Sequence, residues 1–184
     1  LGYLPETLVN YLALLGWNPG DDREVMTIKE MIDCFTLERI NPKSASFDEK
    51  KLQWMNGQHI HMCDDEFLKG IMVDGLKAIG VDTSAEPNER LLEIVKQLKP
   101  RAHFVQDLAT MAKYFFVAPT EYDEKGAKKH FGEGSKEIAT LVRDMLAAID
   151  DFKTPVIEKG FYELAERCGH KVGELVGAPR LAAP

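Results

Sequence analysis

The pattern of apolar and polar residues along the chain follows the three- and four-residue spacing of helix faces, while the two-residue alternation of strands is scarce. Leu8, Tyr11, Leu12 and Leu15 fall at i, i+3, i+4 and i+7, gathering one apolar stripe, with Pro5 suited to a first helical turn and Gly16 to its end. A second helix is predicted from Thr27, because a Thr with Glu30 three residues later forms a capping box ahead of Met31, Ile32 and Phe35. Asp48 caps a third, running from Lys50 to about Met62. Further helices are predicted at about Asp65 to Ile79, Asn88 to Leu98, Val105 to Phe116, Asp123 to Phe131, Lys136 to Ile149 and Pro155 to Cys168, with a short one after His170. Only Phe115-Phe116-Val117 is locally β-friendly, and a buried helix end explains it equally well.

Pro, Gly, Ser and Asn interrupt the periodicity at Asn18-Pro19-Gly20-Asp21, Asn41 to Ser46, Gly80 to Pro87, Lys99-Pro100, Ala118-Pro119 and Gly132 to Gly134. No fixed-period repeat and no low-complexity segment is visible. The expected class is therefore all-α, a non-repetitive helical assembly. Its expected parts are 1-62, 63-119 and 120-184.

Composition changes this picture little, but charge does. With 184 residues, 45% hydrophobic and 29% charged, the chain is an ordinary globular sequence. Its apolar runs fall far short of the roughly 20 residues needed to span a bilayer. The start, Leu1-Gly2-Tyr3-Leu4-Pro5, has no signal-peptide layout and reads as an internal cut. Cys34, Cys63 and Cys168 are odd in number and far apart, which suits a reducing cytoplasm better than a disulfide framework. The formal net charge of −7 weighs against nucleic-acid binding, which draws on neutralising Lys and Arg contacts. Basic residues nevertheless group at Lys96, Lys99 and Arg101, at Lys125, Lys128 and Lys129, and at Arg167, Lys171 and Arg180. Separate basic patches on an acidic chain, or simply solvated helix faces, both satisfy that distribution.

Gly2-Tyr3-Leu4-Pro5-Glu6 and Asn10-Tyr11-Leu12-Ala13-Leu14-Leu15-Gly16-Trp17 are followed by Asp22-Arg23-Glu24 and Phe35-Thr36-Leu37-Glu38-Arg39-Ile40. Phe47-Asp48, Lys51-Leu52 and Trp54-Met55-Asn56-Gly57 complete the series. In content and spacing these blocks resemble the segment after the catalytic signature loop of bacterial glutamyl-tRNA synthetases. The rest of the chain is similar more loosely, through Asn88 to Leu92, Lys99-Pro100-Arg101, Tyr114-Phe115-Phe116, Tyr122 to Lys128, and Lys171-Val172-Gly173 to Pro179-Arg180. The resemblance implies a stem-contact segment at 1-62 and an α-helical anticodon-binding domain of a class I aminoacyl-tRNA synthetase in two subdomains, the second ending short of the family's last helices. It implies binding of tRNA(Glu) in the cytoplasm as a monomer, with no DNA or membrane partner. The parent ligase would attach glutamate to tRNA using ATP and Mg2+. The family's two ATP signatures, of the His-Ile-Gly-His and Lys-Met-Ser-Lys types, are absent, so the chain by itself is expected not to be catalytic. His59-Ile60-His61 lacks the Gly of the first and lies in a helical pattern.

By the same resemblance, Arg101 matches an arginine that reads the third anticodon base. A planar guanidinium suits a base edge, and the preceding Pro100 disfavours helix continuation and exposes the side chain. The plain alternative is a solvated arginine at a helix break. Arg180 matches a second anticodon-contacting arginine, although the family's Pro-Leu-Arg is here Ala178-Pro179-Arg180. Lys128, Lys129, Arg167 and Lys171 are candidate phosphate contacts, or contribute long-range attraction and solubility. Arg39, beside Glu38, has the form of a structural ion pair, and its role is left open. His59, His61, Cys63, Asp64 and Asp65 superficially suggest a metal cluster, but His59 and His61 face different sides of a helix and no metal site is expected. Cys168 near Glu166 and His170 lacks an oxyanion site and reads as a helix-terminal cysteine. Trp17, Trp54, Tyr114, Phe115 and Phe116 are read as core aromatics rather than base-stacking platforms. A rival reading is a synthetase-like helical protein-interaction module without tRNA binding, which the acidic charge favours.

Overall fold

A computed structural model describes residues 2–41, 46–122 and 124–182. Two compact units follow one another, Leu1–Phe116 and Val117–Pro184. The first holds α1 (Pro5–Gly16), α2 (Ile28–Cys34), α3 (Glu49–Met62), α4 (Asp65–Ala78), α5 (Asn88–Leu98) and α6 (Asp107–Ala112), with 3-10 turns at Leu37–Arg39, Lys99–Arg101 and Lys113–Phe115. The second holds α7 (Glu124–His130), α8 (Ser135–Ala147), α9 (Thr154–Cys168) and α10 (Val172–Ala182). Among the described residues, extended pairing is limited to an isolated antiparallel bridge between Trp17 and Ile40.

Local chemistry sets the helix starts. The Thr27 hydroxyl accepts from the Glu30 N–H at 3.2 Å while the Glu30 carboxylate accepts from the Thr27 N–H at 2.7 Å, a complete capping box. Asp48 accepts from the N–H groups of Lys50 and Lys51, and Asp64 from those of Glu66 and Phe67. Gly80, at φ +82°, lets the chain turn out of α4 so that the Val81 N–H reaches the Leu76 carbonyl at 2.9 Å. The helix expected from Val105 to Phe116 is shorter. The Asp107 carboxylate accepts from the N–H groups of His103 and Phe104, holding the chain in a turn until α6 begins, and the last residues tighten into a 3-10 turn.

The first unit's main core is built by α3, α4, α5 and α6, with Ile60, Leu68, Met72, Leu76, Val95, Leu98 and Leu108 essentially removed from water. Each such side chain contributes about 1.5–3 kcal/mol. α4 and α6 approach one another closely: a Cβ at Gly75 would lie 2.5 Å from the Ala109 Cβ. The second unit has a smaller centre, with Val142, Leu164 and Leu175 joining α8, α9 and α10.

Only part of the expected α1 stripe is buried: Tyr11 lies inside and Leu15 packs against its cluster, whereas Leu8 and Leu12 do not. Thr7, Asn10 and Tyr11 point inward, while Leu12 stays 61% exposed and Leu8 and Val9 are also exposed. Most of the inward polar atoms find partners, chiefly on α3, while Asn10 Nδ2 is buried with no partner among the described residues. Asn56 Oδ1 accepts from the Leu4 N–H (2.9 Å) and the Thr7 hydroxyl (3.0 Å), and Asn56 Nδ2 donates to the carbonyls of Gly2 (3.3 Å) and His103 (2.6 Å). Asn10 Oδ1 accepts from the Met26 N–H at 2.9 Å and from His59 Nε2 at 3.0 Å. Since that oxygen is only an acceptor, His59 carries its proton on Nε2.

Candidate nucleic-acid interface

Arg101 ends the turn Lys99–Arg101, which continues directly from α5. The turn divides its two cations. Lys99 points inward, its Nζ donating to the Cys63 carbonyl at 2.6 Å and to Asp65 Oδ1 at 2.8 Å. Arg101 is exposed and makes no ion pair with a described residue. Behind it Ala102 is buried, and α3 comes close enough that a Cβ at Gly57 would lie 3.4 Å from the Ala102 carbonyl oxygen. With Asn56 donating to His103 just beyond, the backbone under Arg101 is fixed from both sides while its guanidinium stays in water.

Arg180 also follows a proline near a helix end. Pro179 lies inside α10, where it cannot donate to the carbonyl four residues back, and Arg180 is exposed one position later. Lys128 and Lys129 occupy the last turn of α7, where the negative end of the helix dipole favours them. α7 packs on α10, with the His130 ring filling the space in front of Gly177 that a Cβ would need. Arg167 is exposed on α9 and lines a groove of about 520 Å³ between α8 and α9, together with Asp144, Lys159 and Glu163. Lys171 precedes α10. Its N–H, followed by the His170 ring, stabilises the Glu174 carboxylate and holds that group below the usual carboxylate range. The helix end at Lys171 thus already has an anion.

The structure places Arg180, Lys128, Lys129, Arg167 and Lys171 in the second unit, on or next to α7, α9 and α10, with α10 packed on each of the other two, and Arg101 in the first. None of the six is in an ion pair with a described residue, whereas Arg143, Lys153 and Lys159 are. Residues 117–184 hold 10 Lys and Arg against 12 Asp and Glu, so only −2 of the net −7 falls there.

Arg39 proves structural, though not as a pair with Glu38. Its guanidinium donates to the Pro19 carbonyl and lies over Gly20, where a Cβ would sit 2.5 Å from its Cζ. Gly20, at φ +89°, is what permits that closure. Trp17 is buried as expected, but Trp54 is 44% exposed, and Tyr114, Phe115 and Phe116 are half-buried. Arg90 caps this last group, with its Cζ 5.9 Å from the centre of the Phe116 ring. His59 is buried and His61 exposed, and among the described residues no three His, Cys, Asp or Glu are grouped to hold a metal ion. Sequence reasoning missed Asn56 and Lys99, the two residues that fix the Arg101 turn. The available signal was an Asn between Met55 and Gly57 on the inward side of a helix.

Guanidinium and ammonium groups displayed on braced helix ends bind anions and base edges, which is the chemistry of an α-helical recognition scaffold. The comparisons with known proteins make that class particular. Residues 65–183 match the family model described as "anticodon binding domain", and residues 1–54 match "tRNA synthetases class I (E and Q), catalytic domain". The chain is 41% identical over 180 residues to the glutamate–tRNA ligase of Bacteroides fragilis, covering 98% of this chain and 35% of that protein. To the glutamate–tRNA ligase of Moorella thermoacetica it is 33% identical, covering 98% and 38%. A crystal structure of a glutamate tRNA ligase from Elizabethkingia meningosepticum in complex with its amino acid superposes with a TM-score of 0.87 at 32% identity, over 99% of this chain and 36% of that one. The chain belongs to the anticodon-binding-domain family of class I synthetases and aligns over nearly its whole length with glutamate–tRNA ligases. It spans about a third of the length of the curated relatives it matches.

Proposed function

We propose that this chain is the tRNA-recognising part of a glutamate–tRNA ligase and that it reads the anticodon of tRNA(Glu) through Arg101 and Arg180. The observation that carries this reading is the turn Lys99–Arg101, in which Lys99 is spent on Cys63 and Asp65 while Arg101 is left free on a braced backbone. A guanidinium held so loses little freedom on meeting a base. Lys128, Lys129, Arg167 and Lys171 add phosphate attraction, and residues 1–62 contribute contacts to the inner stem. The parts proposed are 1–62 for the stem and 63–119 and 120–184 for the anticodon, working as a monomer in the cytoplasm. Attachment of glutamate with ATP and Mg2+ is the proposed activity of the whole ligase. Neither ATP signature occurs in these residues, and none of them is assigned to ATP or metal. The relatives and the family match support this reading over a helical module that binds proteins alone.

The test is a titration of the chain with tRNA(Glu) and an anticodon-swapped copy at two salt concentrations. Binding should weaken with salt, because phosphate contacts release counterions, and weaken with the swap. Arg101→Ala should remove about 1–3 kcal/mol of discrimination at one anticodon base. Equal affinity for both tRNAs would reject anticodon reading, and no binding at either salt would favour a protein partner.

A further inference from the structure

From Ala102 to Gln106, between the Arg101 turn and α6, the chain lies outside regular helix, so contacts made by side chains have to place it. Part of that hold is local, from the Asp107 carboxylate, which accepts from the N–H groups of His103 and Phe104. The rest comes from the start of the chain. The Tyr3 ring meets the Phe104 ring edge to face, with centroids 5.1 Å apart and planes at 78°. Gly2, at φ +80°, leaves to the Gln106 carboxamide the space that a Cβ would need. Asn56 Nδ2 bridges the two stretches, donating to the Gly2 carbonyl at 3.3 Å and to the His103 carbonyl at 2.6 Å. Residues 2 and 3 are thereby joined to residues 103–106, which are far from them in sequence and directly follow Arg101.

The chain start is itself anchored. Leu4 is buried in the main core, and its N–H is held by Asn56 Oδ1, so Tyr3 stands one residue from a fixed point. A side chain that reads a base edge must be held within about 0.5 Å of its working position. A backbone that has to be ordered at the moment of binding lowers affinity for the base by about 2- to 10-fold for each side chain it immobilises. We infer that Tyr3 and Asn56 are positioning residues for Arg101, holding residues 103–106 so that the exposed guanidinium is already placed for the base it reads. This rests on the reading of Arg101 as an anticodon-reading arginine. Tyr3 and Asn56 act through the backbone after Arg101 and not through a base contact of their own. Of the two, Tyr3 gives the cleaner test, because Asn56 also serves the Leu4 N–H and the Thr7 hydroxyl.

The experiment titrates the full chain with tRNA(Glu) and with a copy changed at the anticodon base on which Arg101→Ala acts, and reads the ratio of the two affinities. It is carried out on the unaltered chain, on Tyr3→Leu, Tyr3→Phe, Phe104→Leu and Arg101→Ala, and on Tyr3→Leu combined with Arg101→Ala. Tyr3→Leu and Phe104→Leu should each lower the ratio by about 2- to 10-fold, and Tyr3→Phe, which keeps the ring against Phe104, should preserve it. Once Arg101 is alanine, Tyr3→Leu should lower the ratio no further, because the two changes remove one effect. The dependence on salt should stay as it is in the unaltered chain, since no phosphate contact is lost. A lower urea midpoint with an unchanged ratio in Tyr3→Leu and Phe104→Leu would make the contact structural only and overturn the inference. So would a loss in Tyr3→Leu that recurs in full on top of Arg101→Ala. If Tyr3→Leu does not unfold cooperatively, Phe104→Leu, alone and combined with Arg101→Ala, decides by the same criteria. Full discrimination in Arg101→Ala, or none in the unaltered chain, rejects the anticodon reading and this inference together, whereas discrimination lost in Arg101→Ala but kept in Tyr3→Leu and Phe104→Leu rejects this inference alone.

Discussion

Asn56 ties together separate parts of the first unit. Its amide meets four separate groups, the Leu4 N–H, the Thr7 hydroxyl and the carbonyls of Gly2 and His103, which joins the start of the chain to the backbone just past Arg101. Asn56→Ala leaves the buried Leu4 N–H and Thr7 hydroxyl without this partner and frees the part-buried carbonyls of Gly2 and His103. It should cost about 3 kcal/mol, read as a lower urea midpoint, and should loosen the Arg101 turn. His59 supplies a pH dependence. Burial, only partly offset by Glu6, lowers its pKa from the ordinary 6.5, so the folded chain holds the ring neutral where the unfolded chain protonates it. The unfolded state therefore binds more protons, and stability rises with pH across that interval. Stability should be full above about pH 6.5 and fall as the pH is lowered towards the folded value, visible as a declining Tm that His59→Gln flattens. The carboxylates of Glu30, Glu66 and Asp82, held low chiefly by hydrogen bonds, lose their contribution only in a more acid window, near and below about pH 4. Sequence spacing placed His59 and His61 on different faces but could not say which was inside, because that depends on α1 lying across α3.

At the scale of elements, helix starts were the most legible feature. A Thr, an Asp and a Glu at fixed offsets close hydrogen bonds within four residues, so Thr27 with Glu30, and Asp48, needed no tertiary knowledge. The buried side of α1 was legible only in part, through Tyr11 and Leu15. Leu8 and Leu12 look like a core stripe, but the side occupied by Thr7, Asn10 and Tyr11 faces α3, since Asn56 and His59 offer partners to its polar groups. A helix apolar on more than one side is one that packs on more than one side, and here the second side borders an open apolar groove between α1 and α2. The crossing of α4 and α6 likewise depends on Gly75, whose missing side chain admits Ala109. Gly75→Leu would drive the two helices apart. It should lower stability by about 1–3 kcal/mol or more in thermal unfolding, whereas the same change at Gly70, with open space in front of it, should be nearly neutral or slightly stabilising.

For the molecule as a whole, the division at Phe116 separates two cores of different strength. The first unit removes many large side chains from water; the second removes Val142, Leu164 and Leu175 and leaves Phe152, Val156 and Tyr162 exposed. A small core sustains only marginal stability against chain entropy. Hydrogen exchange should therefore be faster in α8, α9 and α10 than in α4, α5 and the centre of α3, and equal protection of the two sets would contradict this account. On that expectation the cations of the second unit are carried on the part with the smaller core, and Arg101 on the part with the larger one.

By itself the sequence determined the helical class, most helix boundaries and the family, because each depends on residues near in the chain or on motif blocks read in order. Only the tertiary structure decided which polar residues lie inside, that Lys99 is spent within the fold while Arg101 is free, and that an apolar face is left between α1 and α2. Those outcomes depend on which surfaces meet across tens of residues, and helical periodicity states that a face exists without stating what it meets.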